Sequence, residues 1–200
     1  MRVISGKFRS RHLKGTPPAG IRPTSDKLKE TIFNILGPSV EGAAFLDGCA
    51  GVGGIGIEAI SRGAAFVYFV EQSRKACKMI RENLESLNVQ EGFKIFEMDL
   101  IKSLDLLDSS LNIAFVDPPY DRDDLYDACL NRFGNAPLLA PDGLLIMEHS
   151  KRTRPPVACS GGRSIPEGSE NRVQLTSDGY KAYLKAIARS GGDHARMYLK

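Results

Sequence analysis

The chain of 200 residues has no tryptophan, three histidines and four cysteines, with no C-x-x-C pair among them. Cys49, Cys77, Cys129 and Cys159 are scattered along the chain. That spacing excludes a zinc ribbon and a disulfide scaffold and suits reduced thiols. No metal site is expected. His12, His149 and His194 have no partner arrangement that suggests catalysis, and each reads as a loop, surface or partner-contacting residue. No run of about 18 apolar residues is present, so nothing in the sequence is expected to cross a bilayer. The opening "MRVISGKFRS" lacks the apolar stretch of a secretory signal. A cytoplasmic location without membrane attachment is therefore expected.

What is present is unevenly distributed. The formal net charge is only +3, yet the first thirty residues carry Arg2, Lys7, Arg9, Arg11, Lys14, Arg22, Lys27 and Lys29 against Asp26 and Glu30. Between Asp99 and Asp127 the balance reverses. A basic arm beside a more acidic body suggests a polyanionic partner, with Arg2, Lys7, Arg9, Arg11 and Lys14 as its contacts.

The periodicities point to an α/β fold. "RVISG" and "KFRSRHL" alternate in the manner of strands about Gly6-Lys7, which predicts a small basic hairpin separate from the main sheet. "RPTSDKLKETIFNIL" reads as a helix capped by Thr24 or Ser25, with Leu28, Ile32, Ile35 and Leu36 inward and Gly37-Pro38 ending it. Then "AAFLD", "FVYFVE", "FKIFEMD", "NIAFVD" and "GLLIMEH" read as strands alternating with helices, one of them from Ser73 to Leu87 with Ala76, Ile80, Leu84 and Leu87 inward. Near-continuous apolar strands at this spacing predict a doubly wound, mostly parallel sheet with helices on both faces, seven-stranded when a C-terminal antiparallel pair is added. Residues 150–179, rich in Pro, Gly, Ser and Arg, read as a long loop. "YKAYLKAIAR" and "HARMYLK" suggest a C-terminal antiparallel pair about Gly191-Gly192. One domain is expected, with residues 1–20 as a basic hairpin extension of a catalytic unit over 21–200.

Two motifs carry chemistry. In "FLDGCAGVGGIGIEA", Gly51, Gly53 and Gly56 follow a strand and open a helix, so that backbone can approach a ligand at a helix N-terminus. Glu71, twenty residues past Gly51 at the end of the second strand, is placed to accept from ribose hydroxyls. The glycine spacing suits a dinucleotide or S-adenosylmethionine. Asp47, ending the first strand, would repel a pyrophosphate but suits the ammonium and sulfonium charges of S-adenosylmethionine. Asp99, ending the third strand, either reaches an adenine amino group or caps the next helix.

The second motif is the corner Asp117-Pro118-Pro119-Tyr120, at the mouth of the fourth strand. It resembles the "DPPY" motif of amino-methyltransferases that act on exocyclic nitrogens of adenine or guanine. The resemblance implies that Asp117 and the Pro118 carbonyl accept the amine N–H groups and that Tyr120 stacks on the base, with the prolines holding the acceptors rigid. It also places Asp117 beside the cofactor.

A wider resemblance covers most of the chain. "RVISGKFRSRHL", "RPTSDKLKETIFNIL", "FLDGCAGVGGIGIEAISRGA", "VEQSRKACKMIRENL" and "VDPPY" occur in the order seen in the bacterial 16S rRNA (guanine-N2)-methyltransferase family. This implies a Rossmann-like class I methyltransferase that uses S-adenosylmethionine, modifies a guanine of the small ribosomal subunit or its assembly intermediate, and touches RNA with its basic hairpin. It further implies that Arg22 and Thr24 lie near the cofactor. The chain departs from the family at Gly48, Cys49 and Val52, and in "RSGGDHARMYLK", where Gly191 and His194 replace a tyrosine and a threonine. The competing readings are an adenine-N6 methyltransferase, an inactive nucleic-acid-binding module and a dinucleotide oxidoreductase, the last having no use for the corner. A monomer is expected.

Overall fold

The computed structural model describes residues 1–14, 24–119 and 122–148, and the strands within 174–198. Helix α1 (Asp26–Leu36) is followed by β1 (Ala44–Gly48), α2 (Gly54–Ser61), β2 (Phe66–Glu71), α3 (Arg74–Ser86), β3 (Phe93–Glu97), α4 (Leu100–Ser103), β4 (Leu111–Val116), α5 (Asp123–Asn135) and β5 (Leu139–Met147). Then come β6 (Gln174–Ser177), β7 (Tyr180–Tyr183), β8 (Lys185–Arg189) and β9 (Met197–Tyr198). The main sheet has the order β3-β2-β1-β4-β5-β8-β9. The first five strands run parallel, and β8 and β9 are antiparallel additions. The order reverses between β1 and β4, which makes that point the crevice where open sheets of this kind hold ligands.

Period-two alternation divides the strands between two cores. Phe45, Val67, Phe69, Ile113 and Phe115 join α1, α2 and α3 on one face. Leu46, Tyr68, Val70, Ala114 and Val116 meet Leu100, Leu125, Cys129 and Phe133 on the other. With both faces covered, these strands have to be apolar throughout.

The helix boundaries follow local chemistry. The Ser25 hydroxyl accepts from the Leu28 N–H at 3.2 Å, and Ser73 caps α3 through the Ala76 N–H at 3.3 Å. Ala76, Ile80, Leu84 and Leu87 are all buried. On α1 one expected core residue is wrong: Ile35 is 44% exposed and Phe33 is buried. At about 100° per residue, the buried arc runs from Leu28 through Ile32 and Leu36 to Phe33, and Ile35 falls just outside its edge.

The N-terminal hairpin is mostly turn. A single antiparallel bridge joins Arg2 and His12, and Gly6 and Ser10 take positive φ. It stands apart from the sheet, but Val3, Phe8 and Leu13 sink into the first core. Each such burial is worth about 1.5–3 kcal/mol.

Towards the C-terminus the strands differ from the expected ones. β5 begins at Leu139, and its register with β4 jumps between Leu111↔Leu139 and Ile113↔Leu144. Gly143 sits in this irregularity, where an added Cβ would come within 2.8 Å of the Leu111 carbonyl oxygen. Residues 174–177, expected within a loop, form β6 and pair antiparallel with β7. "YKAYLKAIAR" is divided into β7 and β8, and β8 pairs with β9. The β6–β7 pair is a local hairpin across residues 178–179, and the composition of the preceding segment outweighs its short strand pattern in a reading by sequence. Among the described residues no helix is long and apolar enough to cross a membrane.

Candidate active site

Asp47, Glu71 and Asp117 lie at or just past the carboxyl ends of β1, β2 and β4, and Asp99 lies two residues beyond β3. The topology therefore gathers all four acids on one edge of the sheet. Glu148, one residue past β5 and buried, is a fifth acid there that the motifs did not single out.

The glycine turn lies between β1 and α2. Cys49, Gly51 and Gly53 take φ of 61°, 54° and 79°, so the chain is left-handed at alternate residues. Glycine adopts this freely, whereas Cys49 does so at a cost of roughly 1–2 kcal/mol. Gly56 is required for a different reason: its Cβ would lie 2.3 Å from the Phe69 ring. The Gly56 N–H instead donates to Asp47 Oδ2 at 2.7 Å. Gly51 N–H donates to Glu71 Oε2 at 2.8 Å, and Ser73 N–H to Glu71 Oε1 at 2.7 Å. Two carboxylates thus brace the turn from below.

Asp47 is 2% exposed. Burial pushes its carboxyl up to about 7, the Gly56 hydrogen bond works against this, and the negative charge of Glu71 adds to it. A buried acid poised to ionise, with an acid as its charged neighbour, favours arrival of a cation. The donor set therefore fits S-adenosylmethionine better than a pyrophosphate. Asp47 is closed off from solvent, with its carboxyl turned to the Gly56 amide.

Asp99 caps α4 through the Lys102 N–H at 3.2 Å, and its other oxygen accepts from Gln72 Nε2 at 3.3 Å. The capping alternative is what the fold uses, and the half-buried carboxylate remains on the ligand edge. The Cys49 thiol is pushed well up by burial and then by the nearby Cys129 and acids, so it is neutral and no nucleophile.

Across the reversal point, the Asp117 N–H donates to the Gly48 carbonyl at 3.1 Å. The corner after β4 is stitched directly to the start of the glycine turn. Pro118 is buried, Asp117 half-buried and Pro119 exposed. Arg22 and Tyr120 lie outside the described residues, and Thr24 directly precedes the α1 cap.

All five basic hairpin residues, Arg2, Lys7, Arg9, Arg11 and Lys14, are exposed. Arg2 pairs with Asp26 at 2.9 Å, and Arg11 donates to the Ser86 carbonyl at 3.2 Å. Beneath them lie buried polar residues that sequence reasoning does not find: Lys29, Glu58, Ser61 and Asn83. Glu58 has a visible signal, a lone charge within the apolar run "GIGIEAI".

Three comparisons bear on this arrangement. Ribosomal RNA small subunit methyltransferase D of Escherichia coli (strain K12) is 34% identical over 148 residues, covering 74% of each chain. YlbH of Bacillus subtilis (strain 168), a candidate rRNA methyltransferase, is 36% identical over 159 residues, or 78% of this chain and 86% of that one. The solved structure of yhhF from Escherichia coli, a candidate methyltransferase, superposes with a TM-score of 0.75 at 28% identity, covering 96% of this chain and 99% of the other. Fold, glycine turn and corner converge with these likenesses, and the chain belongs to the family described as conserved hypothetical protein 95, whose model matches residues 1–177.

Proposed function

We propose that this chain methylates the exocyclic N2 of a guanine in small-subunit ribosomal RNA, with S-adenosylmethionine as donor. The observation that carries the reading is the Asp117 N–H to Gly48 carbonyl bond, which joins the amine-accepting corner to the cofactor turn. The relatives named for rRNA methylation support the RNA substrate, and the name of the Escherichia coli relative supports the small subunit.

When bound, the cofactor supplies an electrophilic methyl. The chain supplies position and charge. Gly51 and Gly53 allow close backbone approach, Asp47 offers negative charge from beneath, and Glu71 and Asp99 stand at the edge for ribose and adenine. Arg22 and Thr24 are assigned to the same pocket by the family resemblance. An exocyclic amine is a weak nucleophile because its lone pair is delocalised into the ring. Asp117 and the Pro118 carbonyl accept its N–H groups and localise that pair, and Pro119 keeps the acceptors rigid. Asp117 then holds the proton that the amine releases as it is methylated. Tyr120 stacks on the base, a contact worth about 1–3 kcal/mol.

Arg2, Lys7, Arg9, Arg11 and Lys14 form the RNA-facing side of the hairpin extension, residues 1–20, on the catalytic unit 21–200. The protein acts as a cytoplasmic monomer on the small subunit or its assembly intermediate. The test is incubation with labelled S-adenosylmethionine and unmodified 16S rRNA or subunits, followed by nucleoside analysis. N2-methylguanosine is expected. N6-methyladenosine would transfer the assignment to adenine, and no label in RNA would overturn it.

A further inference from the structure

The basic hairpin is held to the catalytic body largely through its own backbone. Ile4 and Ser5 N–H donate to Glu58 Oε2 and Oε1 at 2.7 and 2.9 Å. One turn further along α2, the Ser61 carbonyl accepts from Lys7 N–H at 2.7 Å. The Ser61 hydroxyl accepts from Phe8 N–H at 2.9 Å and donates to the Ser5 carbonyl at 2.6 Å. From α3, Asn83 Oδ1 accepts the Lys14 N–H at 2.7 Å, and from α1 the Lys29 ammonium donates to the Arg2 carbonyl. The fit is close, since a Cβ on Gly6 would stand 1.9 Å from the Ser61 carbonyl oxygen.

Docking by backbone leaves the side chains for other work. Lys7, Arg9 and Lys14 are exposed and make no ion pair among the described residues. Glu58 is the centre of the arrangement. It is fully buried, accepts from Arg62 Nε at 2.8 Å, and interacts electrostatically with the Lys29 ammonium. It lies four residues beyond Gly54, where α2 leaves the glycine turn, which is about 6 Å along the helix. The Met1 side chain touches the same point, with its sulfur 2.8 Å from where a Gly54 Cβ would be.

We infer that Glu58 is a positioning residue: by gripping the Ile4 and Ser5 amides, its carboxylate fixes the basic hairpin relative to the cofactor turn, so that bound RNA is presented to the Asp117 corner in one register. This rests on the reading of the hairpin as an RNA contact. Only a carboxylate accepts from both amides and from Arg62. A glutamine presents one oxygen and one NH2, which leaves a buried donor facing a donor.

The test compares Glu58→Gln, Gly6→Ala and the double variant Lys7→Ala/Arg9→Ala. Each is measured for KM with unmodified 16S rRNA, Kd for S-adenosylmethionine, and amide exchange at Ile4, Ser5 and Phe8. Glu58→Gln and Gly6→Ala are expected to raise the RNA KM by about tenfold and speed exchange at those amides, with cofactor Kd within about twofold. The double variant is expected to raise the RNA KM with exchange unchanged. If the double variant leaves RNA KM unchanged, the hairpin is not an RNA contact and the inference fails with that reading. If it weakens RNA use while Glu58→Gln and Gly6→Ala do not, the RNA reading stands and the positioning role is overturned. Should Glu58→Gln not fold, Gly6→Ala decides alone, because the nearest atoms its Cβ meets all belong to Ser61, at the seat of the hairpin on α2.

Discussion

Two buried carboxylates are tied to α2, and their surroundings are opposite. Glu58 holds the amides of the hairpin with Arg62 and Lys29 close by. Asp47 holds the amide of Gly56 at the helix start, and the charged group that acts on it is another acid, Glu71. The first carboxylate finds its counter-charge within the fold. The second has an acid as its charged neighbour and is pushed up to about 7 by burial, then by Glu71. On the proposed reading, the same hydrogen-bonding device fastens the hairpin at one place and is set to receive a cationic ligand at the other.

The comparison can be broken hardest at the corner beside Asp47. Asp117→Ala should reduce methyl transfer by about 10²-fold or more while S-adenosylmethionine still binds, as equilibrium binding and single-turnover assays would register. Undiminished transfer would remove Asp117 from the chemistry.

A sharper contrast comes from neutralising each buried acid. Asp47→Asn keeps an acceptor for Gly56 but removes the charge. Because the folded Asp47 carboxyl titrates near 7, against an ordinary 3.8, its ionised form is the one that strains the fold. Wild-type stability from this group is therefore gained as pH falls through about 7 and lost as pH rises. Asp47→Asn should raise the ligand-free unfolding temperature at pH 8 and change it less at pH 5. It should also abolish a rise in cofactor affinity between pH 6 and 8. Glu58→Gln should lower stability at both pH values. A destabilised Asp47→Asn at pH 8 would contradict the contrast.

The smallest effect concerns the platform surface. Removing Lys7 and Arg9 together should lower the magnitude of the salt slope of RNA binding by about two, one for each phosphate left without its cation. An unchanged slope would deny them a phosphate role.

The legible and illegible parts of the molecule divide by range. Helix α3 and the inward residues Ala76, Ile80, Leu84 and Leu87 follow from spacing within fifteen positions. The parallel strands and the glycine turn are equally readable, because a strand buried on both faces has to be apolar and a left-handed turn favours glycine. Ile35 is misassigned by its spacing because periodicity alone places the centre of a helix face better than its rim. Glu58 can be noticed but not interpreted, since the amides it holds lie more than fifty residues away. Strand β6 sits in a segment whose composition resembles a loop, and its pairing with the adjacent β7 makes it sheet. Asp99 shows the intermediate case: its capping geometry is one of two readings, and the sequence alone does not separate them.

The contact between Gly56 and Phe69 bears on how such sequences can change. An alanine at 56 would meet the ring at 2.3 Å, so the third glycine of the motif answers to a neighbouring strand as well as to a ligand. Positions 56 and 69 form one unit of sequence drift. A larger residue at 56 becomes admissible only after the ring at 69 has been reduced, and the order of those two steps is fixed.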